Sequence, residues 1–244
     1  MFYFEEIKEK KVLRSSVLNG LNHFFTTRES VIKTKDFEYE KLVQENRTLF
    51  CEYFGIDSEN LIYPSQTHTS NVDVAQVSKN SYPDTDGLIL SNKKQAVFLN
   101  FADCTPLIFY DGKIAAVSHA GWRGTAGMIG VKTVKKMVNE FSSDIKNIKC
   151  AIGPAISFCC YNVGEEVLNQ LMATVKISAG LYEIRNGEIF VDLKNINKRQ
   201  LLELGLEEEN IDVCPYCTVC NNDLFFSYRK ENGTTNRHSA VVKL

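Results

Sequence analysis

The alternation of apolar and polar positions in this 244-residue chain is clearest in NFADCTPLIFYDGKIAAVSHAGWRGT, residues 100–125. Two apolar runs flank Asp111-Gly112, and the second ends in a glycine-rich entry to a helical period. Asp-Gly suits a two-residue hairpin, because both central positions take positive φ. Such a hairpin pairs Tyr110 with Lys113 and, carried outward, sets Cys104 opposite His119, with Cβ atoms about 4.5–5.5 Å apart. Pro106 interrupts the first run. Lacking an N–H, it belongs at an edge or a bulge, and a one-residue slip there would send thiol and imidazole to opposite faces.

Elsewhere, the spacing of Leu42, Asn46, Leu49, Phe50, Tyr53 and Phe54 predicts a helix over 39–54, stopped by Gly55. Val131, Val134, Met137, Val138 and Phe141 share one side of a helix expected over 125–141. Two more helices are expected over 164–174 and 196–204. Short apolar runs predict strands over 2–4, 21–27, 61–63, 88–90, 96–101, 148–152, 189–193, 211–214 and 224–228. With no repeat, low-complexity tract or linker, the expectation is one mixed α/β (α+β) domain over 1–244, its mixed β-sheets flanked by helices.

Composition narrows the function classes. The chain is 44% hydrophobic and 24% charged, enough to bury a sizeable core. A net charge of −2 argues against general nucleic-acid binding. No stretch approaches the ~18 apolar residues of a membrane span, and MFYFEEIKEKKV does not read as a signal peptide. Eight cysteines in that setting point to a reducing, cytoplasmic location, with free thiols or metal ligands. Any His-dependent site must draw on His23, His68, His119 and His238. Nothing in the sequence fixes an oligomeric state.

The candidate chemistry lies in and around the hairpin. His68 sits in the polar loop SQTHTSNV, Cys104 follows Asp103, and His119 precedes Ala-Gly-Trp-Arg-Gly. Singly, these read as a surface histidine, an inert buried thiol and a core histidine. Together, His68, Cys104 and His119 form a His2Cys donor set with a fourth position open, the pattern of a catalytic zinc site. Zinc would lower the pKa of a bound water toward ~7, and the same donors would accept Cu2+. Asp103 and Asp86 are candidates to orient a ligand histidine or act as a base. Arg123 in the 121–125 turn offers an anion contact at a helix entry. Arg28, Arg229 and Arg237 are further candidates. In Cys214-Pro-Tyr-Cys217-Thr-Val-Cys220, two CxxC steps invite a zinc or iron–sulfur reading. Only His238 or the pair Cys159-Cys160 could complete its ligands, and free thiols in a turn are the alternative.

In order, SQTHTSNV, DTDGLIL, FADCTPLIFYDG, SHAGWRGT, IGPAIS with CYNVGEEV, and LFFSYRK resemble the YfiH/laccase-domain family, also called a polyphenol oxidase or purine nucleoside phosphorylase family. The likeness covers nearly the whole chain and is most specific in the block from Cys104 to HAGWRG. It implies a single α/β domain, with zinc held by His68, Cys104 and His119. It also implies phosphorolysis of adenosine, inosine and 5′-methylthioadenosine, with an adenosine deaminase activity. Arg28 in FFTTR and Arg229 in LFFSYRK match recurrent family arginines, and the chain departs at Arg28-Glu29-Ser30, where the family tends to a Gly-Gly turn. The expected partners are purine nucleosides and phosphate. Catalytic roles fall to Cys104, His119 and Asp103, and anion binding to Arg28, Arg123 and Arg229. Four histidines cannot supply both a blue-copper centre and the histidine-rich cluster of a multicopper oxidase.

Two other classes compete. A thiol hydrolase would use Cys104 as nucleophile and His119 as base, and related proteins linked to editing of cell-wall precursors make peptidoglycan precursors its substrates. A non-catalytic metal-binding protein would hold metal without turnover.

Overall fold

The computed structural model describes residues 1–79 and 81–244. In chain order the strands are β1 (Phe2–Ile7), β2 (Lys10–Ser15), β3 (Asn22–Thr26), β4 (Leu61–Ile62), β5 (Val72–Val74), β6 (Gly87–Leu90), β7 (Ala96–Phe101), β8 (Thr105–Tyr110), β9 (Ala115–Ala120), β10 (Lys149–Ile152), β11 (Asn162–Val163), β12 (Tyr182–Arg185), β13 (Glu188–Val191), β14 (Ile211–Val213) and β15 (His238–Lys243). The helices are α1 (Glu40–Phe54), α2 (Trp122–Ala126), α3 (Ile129–Phe141), α4 (Glu165–Met172) and α5 (Leu193–Leu204).

Among the described residues, one sheet runs β1-β2-β3-β15-β7-β4 and a second β14-β10-β8-β9-β6-β5. Both mix parallel and antiparallel pairs. Facing side chains of the two, including Phe25, Val97, Leu99 and Phe101 from the first and Leu88, Ile108 and Val117 from the second, form the central core. The outer face of the first sheet carries Phe24 and Phe98 against Phe50 of α1. That of the second packs Leu107, Phe109 and Ala116 against Val134 and Met137 of α3 and Leu201 of α5. The order is helix, sheet, sheet, helices, as the expected mixed α/β class requires. A smaller sheet, β11-β13-β12, packs with α4 at one end.

The hairpin keeps its place but not its expected register. Asp111 Oδ1 accepts the N–H groups of both Lys113 and Ile114 at 2.8 Å, so the loop takes four residues instead of two. Tyr110 therefore pairs with Ala115, and His119 with Pro106 rather than Cys104. The shift is by two, so side-chain parity survives. Pro106 also turns out to sit inside a sheet, not at its edge. Its carbonyl accepts from Gly153 N–H, just past the end of β10, while His119 N–H donates the other way, to the Asp86 carbonyl. The missing N–H thus points away from β9, and no ladder bond to β9 is lost.

Three other expectations change. The helix foreseen over 125–141 is two, broken where Met128 takes φ 57°. The 224–228 run is not a strand: Phe225 enters the central core and Phe226 a separate cluster, and Glu231 Oε1 takes the Ser227 N–H at 2.9 Å. β15, unforeseen, is buried along its whole length between β3 and β7.

Candidate active site

The link from β7 to β8 crosses from one sheet to the other, and the cleft opens there. Asp103 makes the turn at φ 88°, a region a side chain other than glycine seldom enters. Three partners hold it. Its carbonyl accepts from Ile156 N–H at 2.9 Å, Oδ1 from the Thr218 hydroxyl at 2.6 Å, and Oδ2 from Arg229 N–H at 2.7 Å. Cys104 follows directly, half-buried.

His68 arrives from the loop before β5, itself at φ 63°. Asp86, fully buried, fixes this loop by accepting the N–H groups of Thr67, His68 and Thr69 and the Thr69 hydroxyl. Asp86 Oδ1 also accepts Nδ1–H of His119 at 2.7 Å. That bond fixes the Nδ1 proton of His119 and turns Nε2 toward Cys104 and the cleft. Ligand atoms of His68, Cys104 and His119 all lie within 4.8 Å of one another. Gly121 is required beside them: a Cβ there would stand 2.9 Å from Cys104 Sγ and 3.4 Å from His68 Cδ2.

The electrostatics follow from this packing. Burial opposes ionisation of Asp86, but the His119 proton and the Thr69 donors outweigh it and hold the carboxyl at about 2. Burial would push the Cys104 thiol up, yet His119 and His68 bring it down to about 6. Burial would likewise depress His119, but the Cys104 charge and the Asp86 bond raise it to about 9. A thiolate beside two imidazoles, one oriented by a carboxylate, is a fitting donor set for a zinc-class cation with a fourth position for solvent or substrate.

The cleft has a volume of about 850 Å³ and is lined by His68, Asp103, Cys104, His119, Arg229 and Arg237, with Gln66, Asn100, Tyr161 and Tyr228. Arg229 reaches Asn162 by its guanidinium. Arg237 donates to the carbonyls of Thr234 and Asn236. Arg28 is elsewhere: it pairs with Glu231 and lies over the Phe226 ring. The Thr27/Ser30 capping box shapes its turn without glycine. Arg123 stacks 4.3 Å over its neighbour Trp122 and does not line the cleft. Sequence reasoning missed Tyr161, Tyr228, Gln66 and Asn100. Gln66 was findable only through its partner, since it exchanges two 2.8 Å bonds with the backbone of Asn100. Of the remaining histidines, His23 is buried between Ser15 N–H and the Leu21 carbonyl, and His238 lies behind Phe101. The cleft therefore has no histidine-rich cluster for multicopper chemistry.

Residues 22–244 match the family described as multi-copper polyphenol oxidoreductase laccase. Among relatives, the purine nucleoside phosphorylase YlmD of Bacillus subtilis (strain 168) is 32% identical over 89% of this chain and 86% of its own. The adenosine deaminase RL5 of an unknown prokaryotic organism is 29% identical over 92% of this chain and 94% of its own. The crystal structure of YlmD from Geobacillus stearothermophilus superposes with a TM-score of 0.88 at 29% identity, covering 98% of both chains.

Proposed function

Because the chain belongs to the multi-copper polyphenol oxidoreductase laccase family, whose relatives include a purine nucleoside phosphorylase of like length, we propose that it is a zinc-dependent purine nucleoside phosphorylase. Its substrates are adenosine, inosine and 5′-methylthioadenosine. The observation that carries the reading is the convergence of His68, Cys104 and His119 at the wall of a cleft of nucleoside size. When bound by these three residues, a zinc-class cation supplies a Lewis acid and an activated water.

The chain's own residues do the rest. Asp86 keeps the Nδ1 proton on His119 and holds the His68 loop, so both imidazoles meet the cleft in one orientation. Arg229 and Arg237, with Lys33 and Lys35, are cations on the cleft wall that suit phosphate. Tyr161 and Tyr228 offer aromatic faces to a purine. Burial, reinforced by the Cys104 charge, pushes the Tyr161 phenol up, so it keeps its proton as a donor for a departing base. Asp103 is a positioning residue, since both its oxygens already hold Thr218 and Arg229. Arg28 and Arg123 bear on binding only through the turns they brace.

Deamination is the second reading, favoured by the relative named adenosine deaminase. It would use the same cleft, with water replacing phosphate and attacking the purine ring. Incubating the zinc-loaded protein with inosine or adenosine separates the readings. Phosphorolysis predicts free base only when phosphate is present, and none after chelation. Deamination predicts inosine from adenosine without phosphate. Base release that survives chelation would instead point to thiol chemistry at Cys104, and neither product to a hydrolase of other substrates or a non-catalytic metal protein.

A further inference from the structure

Far apart in sequence, two turns bring four thiols together. Sulfurs of Cys159, Cys160, Cys217 and Cys220 all lie within 4.8 Å of one another. Cys220 Sγ is 3.7 Å from that of Cys159 and 3.5 Å from that of Cys160. A tetrahedral ion with Zn–S bonds of about 2.3 Å holds its sulfurs about 3.8 Å apart. A four-iron cluster ligates its four thiolates on separate irons and needs a wider cage.

The backbone around the cluster presents the thiols from two tied turns. Ser157 N–H points at Cys217 Sγ from 3.4 Å. Turn bonds from Cys160 and Tyr161 N–H to the Ser157 carbonyl present the first pair. Asn221 N–H to the Cys217 carbonyl presents the second. A bridge between Ala155 and Cys217 ties the two turns.

Charge supplies a second, independent indication. Four thiolates around a dication leave a net charge of −2. Lys194 is 5% exposed, and its ammonium donates to the carbonyls of Cys214 and Tyr216. Among the described residues no carboxylate comes within ion-pairing distance of it. A buried ammonium held by carbonyls alone gains from nearby negative charge, of which Asp192 is one source. Arg185 donates to the Phe158 and Cys159 carbonyls, its own charge paired with Glu183. Thiolates at Cys159 and Cys217 would add negative charge near Lys194.

We propose that Cys159, Cys160, Cys217 and Cys220 form a second metal centre, a structural zinc-class site separate from the His68–Cys104–His119 site. Binding releases the four thiol protons. The ion staples residues 157–161 to residues 217–221. Those turns carry the Thr218 grip on Asp103 and place Tyr161 in the cleft. The ion's role is thus to hold the wall beside Cys104.

Metal content and cobalt spectra test this without any activity readout. Protein expressed in zinc medium and purified under reductant is expected to hold two zinc per chain. Cys104→Ala is expected to lose one and, refilled with Co2+, to keep the intense sulfur-to-cobalt charge-transfer band of a tetrathiolate. Cys220→Ser is expected to lose the other and to lack that band. If Cys220→Ser does not fold, the Cys104→Ala spectrum decides alone. Cys104→Ala protein without metal or without the band overturns the proposal. So does a Cys220→Ser protein with unchanged zinc, or a disulfide within the cluster in place of metal. None of these results touches the cleft's proposed activity.

Discussion

The Asp86 carboxylate accepts the His119 ring N–H on one oxygen and the Thr69 hydroxyl on the other, so one buried charge orients parts of the site from a strand and a loop. Replacing it with Asn keeps the shape and removes the charge. Asp86→Asn is expected to weaken zinc binding at His68–Cys104–His119 by about 10–100-fold, read by competition with a chromophoric chelator in a Cys220→Ser background. Unchanged affinity would mean Asp86 is only a loop brace. Gly121 makes a sharper case, because its φ of −65° suits any residue and only space is at issue. Gly121→Ala should drive a methyl against Cys104 Sγ and lower metal occupancy while far-UV circular dichroism stays native. Residue types made the His68, Cys104 and His119 grouping legible in the sequence. Asp86 was visible as a candidate, but its reach to both the His68 loop and β9 depends on contacts between distant segments. Arg28 shows the opposite failure, since a motif arginine was not separable from one whose charge goes to Glu231.

At the scale of elements, turns and periodic runs were readable where local chemistry decides. Gly55 ends α1 in the left-handed region at φ 64°, as its place after the helical period implied. A Cβ there meets nothing within 4 Å, so Gly55→Ala tests backbone strain alone. It should cost about 1 kcal/mol in chemical denaturation and leave zinc content unchanged. Loop length was less legible than loop position. Asp111-Gly112 marked the turn, but capture of two N–H groups by the Asp111 side chain lengthened it. Parity kept Cys104 and His119 on one face despite the shift. The Gly127-Met128 break lies inside an unbroken apolar period, so no pattern announced it. A Cβ on Gly127 would come 2.8 Å from the Ser70 side chain, which makes the break a tertiary requirement. β15 escaped because it is buried on both faces and shows no polar alternation. Phe225 and Phe226 misled for the converse reason, being apolar neighbours that serve different clusters.

For the whole molecule, the layered core carries a pH dependence in its buried imidazoles. Burial brings His23 down to about 4 against the pull of the Leu21 carbonyl. It brings His238 down to about 3. The unfolded chain takes up these protons near pH 6.5, while the folded chain refuses them until about pH 4 and about pH 3. Stability therefore falls as pH drops from about 6.5 toward 4, by up to about 1.4 kcal/mol per pH unit for each imidazole. The thermal midpoint should fall between pH 7 and 5, and His23→Gln should flatten that fall. An unchanged slope in the variant would assign the acid sensitivity elsewhere. None of the described helices is long and apolar enough to cross a membrane. The central claim is that His68, Cys104 and His119 hold the metal with which this chain transfers a purine nucleoside's sugar to phosphate. Phosphorus NMR of zinc-loaded protein with inosine and phosphate tests it most directly. A growing sugar 1-phosphate resonance is predicted for the native chain, and none for Cys104→Ala. No such resonance from the native chain, or an equal one from Cys104→Ala, would contradict the claim.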